Sequence, residues 1–142
     1  MTIEGLYAHW SQVPWDESRW PNFAPNEPNL ACPCCGEFYV DLWMLNALQG
    51  LRSSLGQGIR INSGHRCQLS NFRVGGAAKS QHLRVALDIS LYGQSPNELY
   101  ARAIDQGFDS FGFYGTFLHV DARRGPRWFT KEGKKTWAFL QT

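Results

Sequence analysis

Phe111-Gly112-Phe113-Tyr114-Gly115-Thr116-Phe117-Leu118-His119-Val120-Asp121 decides the fold class of this chain. Two runs rich in aromatic and branched residues, 111–114 and 117–121, flank a break at Gly115. That pattern predicts two strands joined by a tight turn, and so short a connection forces antiparallel pairing. Upstream, Val85 to Ile89 is β-branched and apolar enough for a buried strand. Ile59-Arg60-Ile61-Asn62 predicts a short strand entering a Ser63-Gly64 turn. Helices alternate with these strands. Leu42, Leu45, Leu48, Leu51 and Leu55 recur at helical spacing from Asp41 and stop at Gly56. Ser95-Pro96-Asn97-Glu98 predicts a capping box with proline at the first helical position. The helix it starts carries Leu99, Tyr100, Ala103 and Ile104 on one face and ends at Gly107. Residues 68–81 are expected to be a loop, and Trp137 to Leu140 a last edge strand. Helices mixed with antiparallel strands give an α+β fold, a small sheet packed with helices.

A chain of 142 residues is expected to form one domain over 1–142, with residues 1–30 an aromatic-rich arm anchored by Trp10, Trp15, Trp20 and Phe23. No run approaches the roughly 18 apolar residues of a membrane span, so no membrane partner is expected. Met1-Thr2-Ile3-Glu4-Gly5 lacks the basic and apolar regions of a signal peptide. A net charge of +2 is too small to argue for nucleic acid, and the cluster Arg123, Arg124, Arg127, Lys131, Lys134 and Lys135 is expected to be a solvated face. Val74-Gly75-Gly76-Ala77 supplies small residues for a turn but lacks the spacing and the Gly-Lys-Ser of a phosphate loop. Cys32-Pro33-Cys34-Cys35-Gly36 contains a C-x-x-C, for which only Cys67 and His65 offer a second ligand pair. Buried thiols or one disulfide are therefore expected in preference to a closed metal site.

Two histidines and a carboxylate, His82, His119 and Asp88, stand in or beside the predicted strands. Two imidazoles and one carboxylate suit Zn²⁺ and leave a coordination position open. Ile61-Asn62-Ser63-Gly64-His65-Arg66, Asn71 with Val74-Gly75-Gly76-Ala77, Ser80-Gln81-His82, Ala86-Leu87-Asp88-Ile89 and Phe117-Leu118-His119-Val120-Asp121 follow one another in an order and spacing that resembles the zinc D-alanyl-D-alanine carboxypeptidases, or LAS peptidases. The resemblance runs from about Phe23 to Trp128. It implies that His82, Asp88 and His119 bind zinc, and that the metal polarises a scissile amide and lowers the pKa of its water from ~15.7 to about 7. It implies that Arg66 lies beside the metal and holds the substrate carbonyl and its developing charge. Ser80 matches a position that hydrogen-bonds substrate or a ligand, Tyr114 offers a hydroxyl to the oxyanion, and Trp128 is expected to wall the cleft. His65 stands where an aromatic residue is commoner.

Two features depart from the family pattern. Its ligand spacing, H-x-x-G-x-A-x-D, is one residue longer than His82 to Asp88, which also lacks the glycine. A shortened turn before the strand is expected to absorb the difference. The family's general base, three residues before the last histidine, is replaced by Thr116, which cannot shuttle a proton. Asp121 shares a strand face with His119. It is expected either to be the base or to orient a ligand histidine, with Asp109 a weaker candidate base. The resemblance implies a zinc metallopeptidase acting on peptide bonds of peptidoglycan stems at the bacterial cell wall, of carboxypeptidase or endopeptidase type. A phage-type lysin, cytoplasmic until release or virion-associated, fits this context. The alternative is a zinc-binding protein of the same fold without catalysis, serving in wall binding or particle structure.

Overall fold

The computed structural model describes residues 2–140. Strand β1 (Gly5–Tyr7) pairs antiparallel with β2 (Phe38–Val40), and this two-stranded ribbon leads into helix α1 (Leu42–Leu55). The Asp41 carboxylate caps α1 by accepting from the Met44 N–H at 3.0 Å, and Gly56 ends it in the left-handed region at φ 68°. Strands β3 (Ile61–Ser63), β4 (Ala86–Ser90), β5 (Ser110–Phe113), β6 (Phe117–Asp121) and β7 (Arg127–Phe129) form a five-stranded sheet in the order β3-β4-β6-β5-β7. The first three pairings are antiparallel and β5–β7 is parallel. Helices α2 (Gln68–Arg73), α3 (Pro96–Asp105) and α4 (Lys131–Thr136) complete the α+β fold.

The core explains why the strands tolerate so little polarity. Leu87, Ile89, Phe111, Phe113, Leu118 and Val120 from the sheet share one buried cluster with Met44, Leu48 and Leu51 of α1 and Leu99 and Ala103 of α3. The N-terminal arm belongs to that cluster. Trp20 is fully buried, and its indole N–H donates to Asn46 Oδ1 on α1 at 2.9 Å. Trp15 packs on Trp20 and donates to the Phe23 carbonyl. A buried tryptophan is worth about 3–5 kcal/mol against truncation, which fixes the arm without regular structure of its own.

Four expectations are corrected. Residues 68–73 are helical: the Cys67 sulfur accepts from the Ser70 N–H at 3.4 Å, and the helix turns Ser70 and Asn71 inward while Leu69 and Phe72 stay exposed. Ser95 makes no side-chain capping bond, and the Glu98 carboxylate that would complete the box pairs with Arg102 one turn on at 2.7 Å. Ile104 is exposed, not part of the buried face of α3. The last strand is Arg127–Phe129, and residues 138–140 form a 3₁₀ turn beneath the fully buried Trp137, whose indole donates to the Tyr114 carbonyl.

Candidate metal centre

The pairing of β4 with β6 places Asp88 directly opposite His119. Directly opposed residues of an antiparallel pair bring their side chains together on one face. His82 arrives from outside the sheet, on a 3₁₀ turn over Gln81–Leu83 capped by Ser80, whose hydroxyl accepts from the His82 N–H at 3.2 Å. The chain then bends at Arg84 (φ −120°, ψ −93°) before β4 begins.

His82, Asp88 and His119 present ligand atoms that all lie within 4.8 Å of one another. His82 Nε2 is 3.3 Å and His119 Nδ1 3.0 Å from Asp88 Oδ1. The opposite nitrogens are engaged elsewhere. His82 Nδ1 is 2.7 Å from the Gly64 carbonyl, and His119 Nε2 is 2.9 Å from Asp121 Oδ2. Both partners only accept, so each ring holds its N–H there and turns its other nitrogen toward Asp88. Where the imidazoles are neutral, two nitrogen lone pairs and a carboxylate oxygen converge on one point, and a metal ion can take the place of the protons that otherwise bridge them. The donor set therefore fits Zn²⁺ with one position left open, the pattern of catalytic zinc.

Electrostatics follow from this geometry. Burial pushes the Asp88 carboxyl up, but hydrogen bonds from His119 and His82 outweigh it and hold it at about 2. Burial likewise opposes charge on His119, yet Asp121 and Asp88 raise its pKa above the ordinary histidine value. Asp121 has no exposed surface. Burial raises its pKa, and the bonds from His119 and Arg123 override that and keep it ionised. Arg123 reaches both Asp121 oxygens, at 3.0 Å and 2.7 Å.

The centre opens into a cleft of about 420 Å³ lined by Arg66, Lys79, Ser80, Tyr114, Arg123 and Trp128 beside the three ligand candidates. Clefts of this size hold small ligands. Arg66 enters from the segment after β3, with its backbone N–H on the His82 carbonyl at 2.6 Å and Nη2 on Ser80 Oγ at 3.1 Å. Its Nε is buried without a partner. Tyr114 accepts from the Trp128 indole at 3.0 Å, and Trp128 lies 4.9 Å from the His119 ring. That wall requires Gly112, since a Cβ there would come within 2.6 Å of the indole. Gly76 and Ala77 form the opposite rim, fastened by Asn71, whose Nδ2 donates to the Ala77 carbonyl at 2.9 Å.

The structure thus brings together His82, Asp88, His119, Arg66, Ser80, Tyr114 and Trp128. Asp121 touches His119 but does not line the cleft, Asp109 pairs with Arg127 at 3.0 Å, and Thr116 is exposed in the β5–β6 turn. His65 is buried between the Arg84 carbonyl (2.8 Å) and Glu37 Oε1 (2.7 Å), a packing position. Lys79 and Arg123 are cleft residues that the sequence reading left among loop and solvated-face positions. The stacking signal was absent, because Arg123 lies 5.9 Å from the Trp128 ring only through the return of β7.

A model of the family described as Peptidase M15 matches residues 21–121, well over half of the chain. No curated protein matches it. No helix among the described residues is long and apolar enough to cross a membrane.

Proposed function

The chain belongs to the peptidase M15 family, and on that premise we propose that it is a zinc metallopeptidase hydrolysing peptide bonds of bacterial peptidoglycan stems. The observation that carries this reading is the convergence of His82 Nε2, His119 Nδ1 and Asp88 Oδ1, with both rings locked from behind. When bound, Zn²⁺ supplies Lewis acidity toward the scissile amide and its attacking water. The remaining work falls to the chain. Ser80 holds the Arg66 guanidinium by one edge, and the unpartnered Nε is left to bind a substrate carbonyl as it gains charge. Tyr114 and Trp128 form a wall that excludes water on one side. Asp121 acts through His119, fixing its tautomer and ring plane.

Arg66 and Lys79 line the cleft, whereas Asp88 is its one lining carboxylate among the described residues. That balance favours an anionic peptide, such as a stem ending in a free carboxylate, and so the carboxypeptidase version of the activity. The site of action is the bacterial cell wall, as for a phage-type lysin. The same shortage of carboxylates favours the second reading, a zinc-binding relative without catalysis that serves wall binding, because a second acid is the usual proton carrier. Digestion of purified muropeptides by zinc-loaded protein, followed by mass spectrometry, decides between them. Release of a terminal D-amino acid or cleavage within the stem, absent in His82→Ala, is the expected result. Intact muropeptides after incubation with fully loaded protein overturn the enzymatic reading.

A further inference from the structure

We propose that Cys32, Cys34, Cys35 and Cys67 form a second metal site, structural and distinct from the cleft, that takes Zn²⁺ through four thiolates. The four sulfurs lie within 4.8 Å of one another although Cys67 is far along the chain from the other three. Cys32 Sγ is 3.5 Å from Cys34 Sγ, which is 3.4 Å from Cys67 Sγ. Sulfurs at the corners of a tetrahedron around Zn²⁺, each ~2.3 Å from the ion, are about 3.8 Å apart. Contacts slightly shorter than this are what four thiols show when they already point at one centre, and all four are free.

The backbone is shaped for the same purpose. Residues 32–36 form a closed loop, with the Gly36 N–H on the Cys32 carbonyl and the Cys32 N–H on the Glu37 carbonyl, both at 2.8 Å. Gly36 adopts φ 79°, a left-handed position, and a Cβ there would come within 2.4 Å of the His9 ring. The Ser70 backbone N–H donates to Cys67 Sγ at 3.4 Å. Such a donor offsets part of the charge that four thiolates place on one Zn²⁺. The soft donor set excludes Mg²⁺ and Ca²⁺ and leaves zinc, or iron, as the ion. On binding, each thiol releases its proton to solvent and no redox change occurs.

The site's position gives it a consequence for the cleft. Cys67 follows Arg66 directly, and Glu37, next to the cysteine loop, holds His65. An ion joining the loop at 32–35 to Cys67 therefore clamps the segment that carries Arg66. This inference goes beyond the proposed peptidase activity and stands without it.

Cobalt loading of the fully reduced protein tests it, because the cleft site contains no sulfur. The expected spectrum has an intense near-ultraviolet thiolate-to-cobalt charge-transfer band that persists in His82→Ala and is lost in Cys67→Ser. Since Cys67→Ser could unfold the loop, Cys34→Ser, at an exposed position, serves as the second variant and should weaken the same band. Zinc analysis should give two ions per chain in the wild type and one in His82→Ala. Failure of the metallopeptidase reading alone would leave the charge-transfer band intact. A cobalt spectrum without that band, or alkylation of all four cysteines at equal rates with and without zinc, overturns the proposal. So does an intact mass showing a disulfide in freshly isolated protein.

Discussion

Asp121 Oδ2 lies 2.9 Å from His119 Nε2, on the side of the ring opposite Nδ1, which faces Asp88 at 3.0 Å. One imidazole thus spans two carboxylates, one in the cleft and one with no exposed surface. Asp121 fixes which nitrogen carries the proton, and its own position is set by the two-pronged contact with Arg123. Replacing it with Asn keeps the shape and removes the charge. Asp121→Asn is expected to weaken zinc binding about 10–100-fold and to destabilise the fold by about 1–3 kcal/mol through unsatisfied buried polar groups. Competition with a zinc-chelating dye and a denaturant titration measure both. A large fall in kcat at unchanged zinc affinity would show instead that Asp121 carries the proton.

Asp88→Asn tests the ligand set from its other side. Its neighbours in register, Ser63 and His119, keep their backbone pairing with β4, so the metal-free fold should survive. Zinc in the cleft should fall to the level of His82→Ala, because the neutral amide neither offsets the charge of the ion nor ligates strongly. Circular dichroism with metal analysis checks both halves. Full cleft occupancy in Asp88→Asn would remove it from the ligand set.

Arg66 is held by Ser80 while its Nε stays unpartnered. Lysine keeps the charge and loses the planar fork. Arg66→Lys is expected to lower kcat by about 10²–10³-fold, the range seen for a lost oxyanion donor, with zinc content unchanged. Single-turnover kinetics on a muropeptide substrate reads this directly. An unchanged kcat with a raised KM would restrict Arg66 to ground-state binding.

The sheet's interior was legible from sequence because β4 and β6 are largely buried, leaving little room for polarity except at Asp88, Ser90, His119 and Asp121. For the same reason, the polar residues that do occur there announce a site. Alternation along β6 correctly put Asp121 on the face of His119, but it carried no information on whether that carboxylate faces solvent or lies behind the ring. β7 was invisible, since Arg127–Phe129 is largely exposed and pairs in parallel through a contact that only the fold creates. The meeting of the four cysteines was hidden for a related reason. The sequence offers one C-x-x-C, and the fourth cysteine arrives from a distant segment held near the loop by the His65 N–H on the Leu30 carbonyl at 3.0 Å. Local signals such as the Gly56 stop of α1 survived folding unchanged, whereas Ser95 makes no capping bond and Glu98 pairs with Arg102.

The charges around His119 predict opposite responses of the metal-free and zinc-loaded protein to pH. Asp88 and Asp121 have pKa values lowered by folding, Asp88 to about 2. Their contribution to stability is fully present above the unfolded value of about 4 and is lost as pH falls through the folded values. His119 is shifted upward. Its contribution to the metal-free protein is fully present below the unfolded value of about 6.5 and is lost as pH rises through the folded value. Metal-free protein should therefore melt highest between about pH 4 and 6.5, falling on either side. Zinc needs neutral imidazoles, so its affinity rises through the upper part of that range. The gap in melting temperature between zinc-loaded and chelator-treated protein should widen as pH rises from about 6 to 8. Thermal melts with and without chelator across that range measure it, with His82→Ala as the control for the cleft ion. A gap independent of pH would mean that the two histidines do not exchange protons for zinc.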